Sequence, residues 1–142
     1  MSTANVNRRT IKTRNALKNV LVDLLQTRSL QRISIREITE MADISRGTFY
    51  LHFTDIFDLY QAIEKEVVDG VTAIVDAKAP VRDDDGLETM LSAIFEYLSD
   101  HMRECEALLR TDSASFLSQV FERNKPNTKE TWETLFGTDE HA

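Results

Sequence analysis

Residues 34–53, SIREITEMADISRGTFYLHF, decide the fold. They read as two short helices around a tight turn. Ser34 and Glu37 form a capping box: the Ser34 hydroxyl accepts from the Glu37 amide while the Glu37 carboxylate reaches back to the Ser34 amide. Ile35, Ile38 and Ala42 fall on one face at helical spacing. Asp43 interrupts, because Asp tolerates the left-handed backbone that a tight turn needs. Ser45 is placed to cap the second helix, which runs from Arg46 to Phe53. Phe49 and Phe53, four apart, are predicted to pack inward, leaving Arg46, Thr48, Tyr50, Leu51 and His52 on the outer surface. A helix-turn-helix of this size sets its second helix in a major groove, so double-stranded DNA is the expected partner.

The flanking sequence supplies the supporting helices. Before the motif, Ala16, Leu17, Val20, Leu21, Leu24 and Leu25 line one face of a helix predicted from Thr10 or Thr13 to Arg28. Residues 1–9 read as a polar, mobile arm ending in Arg8 and Arg9, and Leu30 and Ile33 as buried bridging residues. After the motif, Asp55 caps a long helix with Ile56, Leu59, Ile63, Val67, Val71 and Ile74 on one face, and Gly70 is a weak point near its end. Residues 77–86, AKAPVRDDDG, read as a loop, because Pro80 blocks a helix and three aspartates repel each other. A helix from Leu87 to His101 is predicted to turn Leu91, Ile94, Phe95 and Leu98 inward. A short helix over Met102 to Arg110 follows, then one capped by Ser113 and running through Phe116, Leu117, Val120 and Phe121, broken by Pro126. Asn127 and Glu130 cap a last turn carrying Trp132, Leu135 and Phe136. The expectation is an all-α protein: a three-helix DNA-binding domain over residues 1–54, joined by a long helix to a small helical domain for regulation and dimerisation over 55–142.

The net charge of −7 argues against a nucleic-acid partner only until it is divided. Residues 1–60 carry +3 and residues 61–142 carry −10. DNA affinity depends on local cations, so the acidic half is expected to face away from the phosphates. No apolar run approaches the ~20 residues of a membrane span. The N-terminus lacks the apolar core of a secretion signal. A single cysteine, Cys105, excludes an internal disulfide and fits a reducing cytoplasm. His52, His101 and His141 are scattered, and His101 with Cys105 offers a metal two ligands and no third. No nucleophile elbow or Gly-rich phosphate loop is present, so no catalytic residue, metal or cofactor is expected.

The runs Ile38-Thr39, Ala42-Asp43-Ile44-Ser45 and Gly47-Thr48-Phe49-Tyr50-Leu51-His52-Phe53 resemble the tetracycline-repressor (TetR) family of bacterial regulators. The likeness covers roughly residues 10–65. Three positions depart from the family pattern: Thr39 for Ala, Asp43 for Gly, and Ile56 where the family has a Lys that touches a DNA phosphate. The resemblance implies that Thr48 and Tyr50 bind phosphates, that His52 lies near bases or backbone, and that Arg36 approaches a base or phosphate. Arg46 can donate two hydrogen bonds to guanine O6 and N7, or bind a phosphate instead. Gly47 permits close approach, and Ser45 can present a hydroxyl or amide to phosphate. The candidate DNA-binding set is therefore Arg36, Ser45, Arg46, Gly47, Thr48, Tyr50, Leu51 and His52.

The same resemblance implies a homodimeric repressor on a roughly palindromic operator, released by a small-molecule effector. Phe95, Phe116, Phe121 and Trp132 are the candidate pocket lining, with ordinary core the competing reading. The alternative is a ligand-independent DNA-binding module whose acidic half recruits a protein.

Overall fold

The computed structural model describes residues 3–137. Among them it contains six α-helices, one 3-10 turn and no strand. The helices are α1 (Thr3–Leu25), α2 (Ile35–Ala42), α3 (Arg46–His52), α4 (Ile56–Lys78), α5 (Asp84–Asp100) and α6 (Met102–Phe136). The chain divides into two compact units, Met1–Glu64 and Lys65–Ala142. No helix among the described residues is long and apolar enough to cross a membrane.

In the first unit α1 packs on α2 and α2 on α3. Helix α1 starts well before the predicted Thr10, in the segment expected to be an arm, because neither Gly nor Pro occurs before Gly47 to stop it. Met1 and Ser2 of that arm lie outside the described residues. Leu17, Leu21, Leu24 and Leu25 are buried as the periodicity predicts, joined by Val22, Ile33, Ile38, Phe49, Phe53, Leu59, Tyr60 and Ile63. Leu30, expected inside, is half-buried in the 3-10 turn Leu30–Arg32.

The second unit is built on the rest of α4. A core of Val71, Val75, Val81 and Met90 is flanked by Leu87, Ile94, Tyr97, Leu98, Val120 and Leu135. Three expectations are corrected here. The aspartate run opens a helix: the Asp83 side chain accepts from the Gly86 amide at 2.7 Å, and Asp84 and Asp85 occupy the first turn of α5, where exposed N–H groups favour negative charge. Next, Pro126 does not break the chain but lies inside α6. Just after it, Thr128 donates to the Asn124 carbonyl at 2.9 Å, and Asn127 donates to Asp76 Oδ1 at 2.6 Å, so the chain past the proline is tied both to its own helix and to α4. The real interruption is Asp112, with φ −154° and ψ 81°, whose carboxylate accepts from the Ser115 amide at 3.0 Å and so takes the capping role expected of Ser113. Finally, Leu91, Phe95, Leu117 and Phe121 point outward, because α5 and α6 each carry two neighbouring apolar stripes and only the Met90 and Phe116 stripes meet the core.

Candidate nucleic-acid interface

The helix-turn-helix is held by short, mostly local interactions. Ser34 accepts from the Glu37 amide at 3.1 Å, closing the start of α2. The Glu37 carboxylate pairs with Arg28, which together with the Ser34 backbone N–H holds its pKa below the usual carboxylate value. Asp43 ends α2 in the left-handed region, φ 55° and ψ 49°, and its amide donates back to the Glu40 carbonyl. Ser45 then starts α3, accepting from the Thr48 amide at 3.1 Å while its hydroxyl donates to Thr48 Oγ1 at 2.9 Å.

Two phenylalanines anchor α3. Phe49 is fully buried and Phe53 nearly so, with ring centroids 6.0 Å apart. Burying a Phe of this kind stabilises the head by about 3–5 kcal/mol relative to Ala. The far end of α3 is held from α1: the Arg14 guanidinium lies 4.5 Å over the Phe53 ring and reaches the His52 carbonyl at 3.4 Å. The chain then re-enters a helix at Asp55, whose carboxylate accepts from the Asp58 amide at 2.7 Å, while Asp58 accepts from the Thr54 amide at 2.9 Å.

With those residues turned in, the opposite surface of α3 is open. Arg46, Gly47, Tyr50 and Leu51 are exposed and Thr48 and His52 half-buried, so these six candidates share one short helix. Tyr50 meets the edge of Phe49 at 5.5 Å but remains 56% exposed, which leaves its hydroxyl in water rather than in the core. Ser45 is exposed and engaged as the cap. Arg36 stands on α2, where its Nε donates to Glu40 Oε1 at 2.9 Å; an exposed pair like this is weak enough for a phosphate to displace. Arg8 and Lys12 border a groove on α1 with the exposed Ile11.

Comparison with known proteins agrees with this geometry. Residues 20–63 match the bacterial regulatory proteins of the tetR family. Over 62 residues, 43% of this chain, it is 36% identical to an uncharacterized HTH-type transcriptional regulator, YxbF, of Bacillus subtilis (strain 168). The helix-turn-helix head is of the TetR type. The shared segment spans 16% of the length of that relative. No solved structure matches significantly. The TetR family is one of bacterial regulatory proteins, not of enzymes.

Each departure from the TetR pattern has a local account. Thr39 is buried, and its hydroxyl donates to the Ile35 carbonyl at 2.9 Å, so it fits where Ala is usual. Asp43 adopts the backbone that Gly would supply. Ile56 is half-buried in a shallow apolar groove with Leu30, Ile33, Ile35 and Phe57, so an aliphatic side chain is accommodated where the family presents a Lys. Arg14 is the structural residue that sequence reasoning missed. It was legible only as one of several basic residues near the N-terminus, because its partners lie 38 and 39 positions away.

The four candidate pocket residues are not gathered into one site. Phe116 is buried in the core, whereas Phe95, Phe121 and Trp132 are 70%, 60% and 64% exposed. The groove beside α5 is lined instead by Lys78, Asp85, Glu88, Thr89, Ser92 and Glu96, a polar set. His101 and Cys105 do not form a reactive pair: the imidazole stacks on Tyr97 at 4.1 Å, and burial pushes the buried Cys105 thiol above its usual pKa. His141 lies outside the described residues.

Proposed function

We propose that this chain is a TetR-family regulator that acts in the cytoplasm as a homodimeric repressor, laying two copies of α3 into successive major grooves of a roughly palindromic operator. The observation that carries DNA reading is the outer face of α3, where Arg46, Gly47, Thr48, Tyr50, Leu51 and His52 are presented by a helix whose inner face is fixed by Phe49 and Phe53. Arg36 on α2 and the Ser45 cap complete the contact set. A single short helix reads few bases, and a dimer places two of them roughly 34–36 Å apart.

Support for self-association comes from the second unit. Leu91, Phe95, Met102, Leu109, Leu117, Phe121, Trp132 and Phe136 are each at least 44% exposed on α5 and α6. Soluble monomers rarely leave so much large apolar surface on one small unit, and a self-complementary pair would cover it. Residues 61–142 carry −10, so a second copy must be held by apolar burial against like-charge repulsion. The TetR resemblance adds a small-molecule effector whose binding releases the operator.

Selection of bound duplexes from a randomised DNA library tests the reading. A recovered palindrome supports it. Tyr50→Ala should then weaken binding to all sequences, and Arg46→Ala should also relax preference at one base pair. Variants that bind the recovered site like wild type would refute the assignment of α3. Light scattering decides the second unit: a monomer would favour the reading in which this surface recruits a different protein.

A further inference from the structure

We infer that Leu51 is a specificity-determining residue of α3, beside Arg46, and that it reads the C5-methyl group of a thymine in the major groove. The inference rests on the DNA-reading proposal and extends it to what one side chain touches.

Successive helical residues are turned by about 100°, so Leu51 stands about 200° after Phe49 and about 200° before Phe53. Both phenylalanines are buried, which fixes the inner face and puts Leu51 at the outermost point of the helix. Leu51 is 83% exposed, more than any other large apolar side chain among the described residues. One turn earlier on the same ridge is Gly47, where an added Cβ would meet nothing nearer than Ser45 Oγ at 3.9 Å. The ridge is therefore bare at Gly47 and led by an aliphatic group at Leu51, with the hydroxyls of Thr48 and Tyr50 on its flanks.

An aliphatic side chain in that position gains nothing in the free protein. It becomes useful only against a surface that removes it from water. In the major groove every base edge offers hydrogen-bond donors or acceptors except at one kind of group, the thymine methyl. Leucine laid on any other edge would strip water from a polar atom without replacing the hydrogen bond, which is unfavourable. Laid on a methyl, it buries apolar surface on both sides. The chemistry of the side chain thus selects thymine, and its position on the helix makes it the first to arrive.

The test uses the full chain and the site recovered from the randomised library. Each thymine is replaced singly by deoxyuridine, which lacks only the methyl group, and each cytosine by 5-methylcytosine. Wild type should bind about fourfold more weakly when one particular thymine per half-site loses its methyl, the effect expected of one buried methyl-sized group. Leu51→Ala and Leu51→Gln should bind thymine and deoxyuridine alike at that position and respond as wild type elsewhere. Their melting curves should match wild type, since Leu51 is 83% exposed. Wild-type indifference to every methyl, or full discrimination retained by Leu51→Ala, overturns the inference while leaving DNA reading intact. A library that yields no site overturns both.

Discussion

Gly70 stands inside α4, where alanine would ordinarily be more stable by about 0.8–1 kcal/mol. In this protein a Cβ at Gly70 would lie 2.0 Å from the Tyr97 hydroxyl oxygen and 2.1 Å from the ring carbon that bears it, well inside the 3.4 Å at which ordinary contact begins. The ring would have to retreat by more than an ångström, and it is held. Its hydroxyl donates to the Glu66 carbonyl at 3.3 Å, and its face stacks on His101 with centroids 4.1 Å apart. His101 Nδ1 in turn lies 2.8 Å from the Tyr97 carbonyl oxygen. Overpacking of this kind costs about 1–3 kcal/mol, which exceeds the gain in helix propensity. Gly70→Ala should therefore destabilise the protein by up to about 2 kcal/mol net, read as a lower urea midpoint by circular dichroism at one fixed protein concentration. In a Tyr97→Ala background the obstacle is gone, and the same change should stabilise by about 0.8–1 kcal/mol. That reversal of sign is the signature of steric coupling between the two positions. A higher midpoint for Gly70→Ala with Tyr97 in place would refute the view of Gly70 as a socket for the ring.

Asp43→Gly should raise stability by up to about 1 kcal/mol in thermal melts, because it relieves a left-handed backbone, whereas Asp43→Val should lower it by about 1–2 kcal/mol. The Glu37 carboxyl sits below its ordinary pKa chiefly because Arg28 donates to it; the stability this contributes is complete above that ordinary value and is lost as pH falls through the lowered one. Arg28→Gln should move the Glu37 titration, followed by carboxyl-carbon NMR, back up toward the usual range. For the second unit, Phe121→Glu with Trp132→Glu should give a monomer by light scattering while the head keeps its helicity. Added salt should strengthen the wild-type dimer, since it screens repulsion between acidic partners, and weaken DNA binding; a dimer that dissociates in salt would contradict the apolar interface.

The head was legible because its determinants are close in sequence. The Ser34 and Ser45 caps, the left-handed Asp43 and the inward pair Phe49 and Phe53 all act over three or four residues, the range that spacing reports. What closes the head over longer distances was not legible. Arg28 finds Glu37 and Arg14 finds Phe53 only after α1 has packed. In the second unit periodicity showed that α5 and α6 carry apolar stripes, yet two stripes per helix left open which of them faces the core. Phe95 and Phe121 were therefore expected inside and stand outside, while Met90 took the interior. Pro126 and the three aspartates misled for a different reason: the proline is accommodated inside α6, and the aspartates sit at a helix terminus, where their charge is favoured.

The fastenings of α3 lie at its ends and on its underside: the Ser45 cap, the two phenylalanines, and the Arg14 contacts with Phe53 and the His52 carbonyl. None of them uses the side chain of Arg46 or Leu51. Point changes at those two places consequently alter which DNA letters are preferred while leaving the scaffold's melting point nearly untouched. A lineage carrying this head can drift from one operator to another without first acquiring spare stability.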